Sequence, residues 1–373
     1  MTKRPNGEGS VYRRRDGRWA AALVLPDGSR KTLYGRTRQE VAGRLSAALG
    51  SVSIGLPLPS GRETLTGFWH AWLAGVRTNL RPRTWTRYEQ LGRVHLLPVL
   101  GRIKLSRIGP MHIRSLHEAI LAKGISPSTA HHAHAVLHRA LADAVRWGLL
   151  MRNPADLVPA PRLAAHEPVV LSDGQARTLC TAAAGDRLET LYVLAITTGM
   201  RQGELLALKW REVDCEAGTL RVTGTLQRSE GRMTLSEPKT PRSRRQVALA
   251  EQAVEALRRH RARQTEDRLR LGAAWDDSDL VFTNGHGGPL EAAHVVNFGF
   301  RPLLARAGLP AIRFHDLRHS AATLLLSRGV HPKIASEMLG HASTGVTLDR
   351  YSHVSETMQR EAAQVMTRLL GGR

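Results

Sequence analysis

Cysteine is almost absent: the 373 residues hold only Cys180 and Cys215, and no motif spacing joins them. That excludes a cysteine-rich zinc site on ligand count, and it fits buried thiols in a reducing compartment better than a disulfide framework. Long apolar runs are missing too; none approaches the roughly eighteen residues a membrane-spanning helix needs. The opening MTKRPNGEGS has no apolar core of the kind a secretory signal carries. The expectation is a cytoplasmic protein with no membrane partner. Acidic charge is scarce, 32 Asp+Glu against 54 Lys+Arg, for a formal net charge of +22. Tyrosine is scarce as well, with five in the whole chain. One of the five, Tyr351, falls in a short polar stretch near the end, LGHASTGVTLDRYSH. Its placement asks for a chemical reason.

What remains is the composition of an ordinary globular protein, 42% hydrophobic and 23% charged, long enough for two or three domains. The positive excess predicts a polyanionic partner, most simply nucleic acid. It is uneven. Residues 1–62 carry 12 Lys/Arg against 4 Asp/Glu, and residues 63–165 carry 14 against 5. Residues 166–373 carry 28 against 23. The excess is rich in arginine, whereas lysine and glutamate would serve plain solubility better.

The local patterns divide the chain into three. Val11-Tyr12, Arg18 to Leu25 and Arg30 to Tyr34 read as strands joined by the turns Asp16-Gly17 and Asp27-Gly28. Thr37 caps a helix over Gln39 to Leu49. Arg13, Arg14, Arg15 and Arg18 on the first hairpin suit duplex DNA. After the linker SVSIGLPLPSGRE, helices are expected over Thr64–Val76, Arg83–Pro98, Pro110–Ala122 and Pro127–Leu149. Ser126 and Pro127 open the last, and Asn153-Pro154 is expected to stop it. Arg81, Arg83 and Arg87 are the basic candidates here. A second linker, Pro159 to Glu167, leads to a region mixing helices with a three-stranded meander: Thr219–Leu226, Arg232–Glu237 and Arg245–Leu249. The fold class expected is multidomain and mainly α with small β elements. The expected bounds are 1–60 for the sheet plus helix, 63–158 for the all-α domain and 167–373 for an α+β domain.

Four pieces of the third region hold reactive residues. In TTGMRQGELLALKW, Gly199 ends one helix and Arg201 opens the next, with Glu204 on the same face. In SEPKTPRSRRQVAL, Lys239 sits in a turn. In FHDLRHSAATLLL, His315 and Arg318 are three apart on a helix and project the same way. The fourth piece holds His341 and Tyr351. A zinc-protease reading of HDLRH, with His315, His319 and His341 as ligands, needs a glutamate base where Asp316 stands, and leaves both arginines and the tyrosine without a role. In AHHAHAVLH, His134 and His138 share a face, with no carboxylate or cysteine evident to complete a site.

Together the four pieces describe one chemistry. Two arginines can pair with the non-bridging oxygens of a phosphodiester, where charge builds in the transition state. A tyrosine can attack phosphorus. A lysine can protonate the leaving alkoxide, and histidines can donate hydrogen bonds or take the tyrosine proton. Arginine and lysine supply the positive charge, so no metal or other cofactor is required; a carboxylate cluster of the two-metal nuclease kind is also missing.

These words, TGMRQGELLAL, EPKTPRSRR, HDLRH, LGHAS and TLDRYSH, resemble those of the tyrosine recombinases of the phage-integrase family. The resemblance implies a catalytic set of Arg201, Lys239, His315, Arg318, His341 and Tyr351, supported by Glu204. The middle segment, with RPRTWTRYEQLGRVHLLPVLG, is similar to the helical core-binding (SAM-like) domain of integrases from actinobacterial phages and integrative elements. The first segment is similar to their small arm-binding domain. The resemblance further implies a 3′-phosphotyrosyl intermediate, core and arm attachment sites on double-stranded DNA, and a homotetramer that exchanges strands through a Holliday junction. An excisionase and a DNA-bending host protein are the further partners it admits, and it implies a cytoplasmic enzyme on the nucleoid when bound. The terminal segment, with Met358, Ala362, Val365 and Leu369 at helical spacing, is expected to dock on a neighbouring protomer. Ser343 to Asp349 is expected to let the tyrosine move. Two other classes stay in view: a type IB topoisomerase, which would relax supercoils without sequence-specific exchange, and a non-catalytic DNA-binding regulator, which would need none of the six reactive side chains.

Overall fold

The computed structural model describes residues 9–25, 28–53, 62–163, 168–229, 231–236 and 244–340, with residues 364, 367 and 370. The chain divides into two compact units, Met1–Ala165 and His166–Arg373. The first begins with an antiparallel sheet in the order β1 (Ser10–Arg13), β2 (Trp19–Val24), β3 (Arg30–Gly35). Gly17, at φ +81°, closes the first turn by donating its N–H to the Arg14 carbonyl at 3.0 Å. Thr37 Oγ1 accepts the Glu40 N–H at 3.1 Å and opens α1 (Arg38–Ser53). The helix runs beyond the expected Leu49 because Val52 continues the apolar stripe of Val41, Leu45 and Leu49. That stripe packs on Ala21 and Leu23 of β2. On the other face, Ala20 lies between Tyr12 and Tyr34 of the flanking strands.

A second core of the same unit is helical: α2 (Leu65–Gly75), α3 (Pro82–Leu91), α4 (Leu97–Leu100), α5 (Pro110–Leu121) and α6 (Pro127–Arg146). The helix expected over Arg83–Pro98 is interrupted by a π-helical turn, Gly92–Leu96. A Cβ at Gly92 would lie 2.3 Å from the Trp69 indole, so the buried ring rests on bare backbone there. The last helix ends earlier than expected, and Asn153-Pro154 does not stop it. Gly148, at φ +71°, does so: its N–H meets the Val145 carbonyl at 2.9 Å while the Leu149 N–H meets that of Ala144 at 2.8 Å. Trp72 is fully buried, stacks on Tyr88 and donates its Nε1–H to Asp143 at 2.7 Å.

Two buried histidines join α5 to α6, with His117 Nε2 3.1 Å from His134 Nδ1. Burial, then the neighbouring His117, His138 and His131, pushes the His134 pKa down to about 4. A lowered histidine pKa means that the folded state binds the proton less well than the unfolded chain. Its contribution is therefore constant above pH about 6.5 and works against folding progressively between about 6.5 and 4. Acidification across that window is expected to lower the protection of α6 amides relative to their intrinsic exchange rates. His134→Gln should flatten this dependence; an unchanged slope in the variant would count against it. His138 does meet a carboxylate, with Nε2 2.7 Å from Asp156, which the sequence had not suggested.

The second unit comprises α7 (Asp173–Ala182), α8 (Glu189–Thr198), α9 (Gln202–Leu206), β4 (Val213–Asp214), β5 (Thr219–Val222), β6 (Thr225–Ser229), β7 (Arg232–Ser236) and β8 (Arg245–Ala248). There follow α10 (Glu251–Leu271), α11 (Ala292–His294), α12 (Arg301–Arg306), α13 (Asp316–Ser327) and α14 (Pro332–Leu339). Helix α8 is buried nearly all round, and α7, α10 and α13 pack against it. The expected meander is instead two sheets: β5 pairs with β4 and β8, while β6 and β7 form a separate hairpin. The single strand expected over Thr219–Leu226 breaks at Thr223-Gly224, where glycine cannot extend the buried row of Leu220 and Val222. Cys180 and Cys215 are free and half-buried, less enclosed than expected; burial and then the Glu189 carboxylate raise the Cys180 thiol pKa. Among the described residues no helix is long and apolar enough to cross a membrane.

Candidate active site

Two helices end against each other in the second unit. Gly199 closes α8 in the left-handed conformation at φ +61°, and a Cβ there would stand 2.3 Å from Leu339 Cδ2. Gly340 closes α14 in the same conformation, at φ +70°. The last carbonyls of a helix lack partners within it and carry its negative end. Here three arginines from three elements supply the donors. Arg245 Nε meets the Met338 carbonyl at 2.7 Å, Arg318 Nη1 that of Leu339 at 2.6 Å, and Arg201 Nη2 that of Gly340 at 3.3 Å. Arg318 Nη1 also reaches the Gly199 carbonyl at 2.8 Å, tying both helix ends together.

Arg201 precedes α9 and is its N-cap residue. Its own N–H and its Nη1 both donate to Glu204, at 3.0 and 2.8 Å. Arg245 Nη2 donates to the same carboxylate at 2.8 Å, and that pair is buried on both sides. Burial alone would raise the Glu204 pKa. The Arg245 hydrogen bond and charge, then the Arg201 backbone and charge, reverse this and hold it below the ordinary carboxylate range. The Arg201 side chain stays 41% exposed, so one cation of the cluster is open to solvent.

His315 stands one residue before α13, not within it, and Arg318 lies inside that helix and is buried. His315 is exposed, yet the protein packed around it, followed by the charges of Arg318 and Arg201, lowers its pKa. A neutral imidazole beside two arginines can donate or accept a hydrogen bond at neutral pH. His319 is buried, its ring edge-on to His315. Asp316, which a zinc-protease reading would need as a free base, is held by Arg313 through Nη2 at 2.7 Å and the backbone N–H at 2.8 Å. Among the described residues no group of three histidine, cysteine or acidic side chains is arranged to hold a metal ion.

The structure thus brings Arg201, Glu204, His315 and Arg318 together. Lys239, His341 and Tyr351 lie outside the described residues, as do Ser343 to Asp349 and Met358, Ala362, Val365 and Leu369. In sequence, Lys239 falls between β7 and β8, and His341 directly follows Gly340. Arg13, Arg14, Arg15 and Arg18 are exposed around the β1–β2 turn, where Arg14 lies over the Tyr34 ring. Arg81, Arg83 and Arg87 are exposed around the start of α3, and Arg83 and Arg87 share one face. Sequence reasoning missed Arg245. Its signal was the two-residue period of β8, which puts Arg245 on the same side as the buried Val247.

A model of the phage integrase family matches residues 170–358, the span containing this arginine cluster. The chain belongs to the phage integrase family. Residues 64–121 match the N-terminal SAM-like domain of phage integrases, which corresponds to α2 through α5. A tyrosine recombinase XerC-like protein of Caldanaerobacter subterraneus is 31% identical over 360 residues, covering 91% of this chain and 92% of that one. An integrase of Streptomyces ambofaciens is 30% identical over 384 residues, covering 98% and 97%. The protein is therefore an enzyme of the tyrosine-recombinase class. Its fold is similar to that of the Tn1549 transposon integrase solved with circular intermediate DNA, at a TM-score of 0.69 and 21% identity over 82% of this chain and 99% of that one. It is also similar to lambda integrase solved as a tetramer on a Holliday junction, at a TM-score of 0.59 and 19% identity over 95% and 98%.

Proposed function

We propose that the chain integrates or excises a phage or mobile element by cutting and rejoining DNA at attachment sites. The observation that carries this reading is the convergence of Arg201 and Arg318 on one helix junction, with His315 near both, in a member of a recombinase family. In the proposed reaction Tyr351 Oη attacks the scissile phosphorus and loses its proton to a neighbouring base. The bond to the 5′-oxygen breaks, and Lys239 protonates that oxygen as it leaves. Arg201 and Arg318 bind the non-bridging oxygens, with His315 and His341 as hydrogen-bond donors or proton carriers. A 5′-hydroxyl from the partner strand then attacks the phosphotyrosine, so phosphodiester energy is conserved and no nucleotide cofactor is consumed. Two such rounds in a homotetramer would exchange both strands of each duplex.

The three expected domains take separate roles: 1–60 binds arm sites, 63–158 and 167–373 bind the core site, and the terminal segment docks on a neighbouring protomer. An excisionase and a DNA-bending host protein complete the expected partners, in the cytoplasm. The open face of the N-terminal sheet, with Tyr12, Tyr34 and the arginines of the first turn, supports the arm role because it sets aromatic surface among cations. Binding should fall steeply with salt. Removing residues 1–60 is expected to cut integration at least tenfold and to flatten the salt dependence by several phosphate contacts, each about 0.9 in the log–log slope. Unchanged efficiency and slope would refute the assignment. The whole reading is tested with the attachment sequence recovered from DNA flanking the gene. A substrate nicked beside the cleavage point should trap a covalent protein–DNA adduct, and peptide mapping should place the DNA on Tyr351.

A further inference from the structure

The last two carbonyls of α14 and that of its cap, Gly340, are gripped in succession by Arg245, Arg318 and Arg201. Two of these side chains have roles in the proposed reaction, while the third has none. Arg245 is nonetheless a link between the other parts. Its Nη2 holds Glu204, the carboxylate that also fixes both the backbone and the guanidinium of Arg201. Its Nε holds the end of α14, from which the chain passes directly to His341. Its guanidinium fills the space beside Gly340, where a Cβ would stand 2.8 Å from Nη1. It is also the first residue of β8, the strand that follows the Lys239 segment. One buried side chain thus meets the first arginine's clamp, the helix end before the first histidine of the terminal pair, and the strand after the lysine.

We propose that Arg245 is a positioning residue for strand cleavage: by bridging Glu204 and the Met338 carbonyl it holds Arg201 and the end of α14 in the register the scissile phosphate requires. This rests on the reading of Arg201 as a phosphate-binding group. Arg245 acts through Arg201 and α14 and does not itself touch DNA. A guanidinium is suited to the task because its planar fork serves two acceptors in different directions, which an ammonium cannot do at fixed geometry. A small displacement of Arg201 is expensive, since roughly 1 Å of misplacement can lower a rate about 100-fold.

The test uses the full-length protein and a nicked attachment-site substrate carrying either a normal phosphate or a methylphosphonate at the cleavage point. The methyl group removes the charge that the arginines balance. Arg245→Met should bind the normal substrate within about threefold of wild type and form the covalent adduct about 100-fold more slowly. The methylphosphonate should restore much of that loss, as it should for Arg201→Ala. Arg245→Lys, which keeps the charge and reaches one acceptor, should lose about tenfold and be restored likewise. Where circular dichroism shows Arg245→Met to be misfolded, the lysine variant decides. An unchanged adduct rate in a folded variant overturns the proposal. So does a loss that the methylphosphonate restores in Arg201→Ala but not in the Arg245 variants, which would mark a purely structural role. Failure of restoration in Arg201→Ala itself would overturn the phosphate-binding reading beneath it.

Discussion

Tyr351→Phe is expected to abolish the covalent protein–DNA adduct while leaving DNA affinity within about twofold. The substitution removes one oxygen, and with it the only protein nucleophile in the proposed reaction. The proposed reaction gives the other reactive groups other tasks. Guanidiniums are not nucleophiles at neutral pH, and Lys239 is assigned the opposite task of giving a proton. The loss should therefore reach the detection limit of the gel, not a residual fraction. Affinity should persist because phosphate contacts spread over a strongly basic chain supply most of it. An adduct of wild-type abundance in the variant would refute the assignment of Tyr351. Loss of both adduct and binding would mean that the substitution had disturbed something larger.

The second large effect separates the two arginines. Both Arg201→Ala and Arg318→Ala should lower the adduct-forming rate by about 10²–10³-fold, the usual consequence of losing one charge-stabilising donor. Their effects on stability should differ. Arg318 is buried, and its Nη1 serves the carbonyls of Gly199 and Leu339. Alanine leaves both without that donor, each at about 1–3 kcal/mol, so a fall of several degrees in melting temperature is expected. Arg201 is partly exposed, and Glu204 keeps its bond to Arg245 when Arg201 is truncated. That variant should melt within about two degrees of wild type. Calorimetry on the two proteins checks the contrast. Equal melting temperatures would mean that the helix junction does not depend on Arg318.

Legibility in the sequence followed the range of each signal. Local chemistry was readable. Asp16-Gly17 made the expected turn, Thr37 and Ser126 capped their helices through side-chain oxygens, and Arg201 stood where a helix begins. The family resemblance pointed to Arg201, Glu204, His315 and Arg318, which the fold brings together. What escaped depended on contacts between distant segments. The π turn begins at Gly92, where the Trp69 ring leaves no room for a side chain, and nothing near Gly92 announces that contact. The split between β5 and β6 is decided by β8, which claims β5 from more than twenty residues away. Gly148, not the more conspicuous Asn153-Pro154, ended α6, because a left-handed glycine satisfies the last carbonyls before the proline is reached. Arg245 hid among several arginines of one segment, and only its strand period set it apart from the exposed ones.

The small side chain of Ala20 also constrains the outer surface of the N-terminal sheet. Tyr12 and Tyr34 flank it on the neighbouring strands, and all three lie on the face away from α1. Ala20 is nonetheless fully buried, so no trough opens between the two rings. A bulkier residue at position 20 has no free space to fill and would displace whatever covers it. The outer surface of this sheet would change while the core behind it stayed as it is.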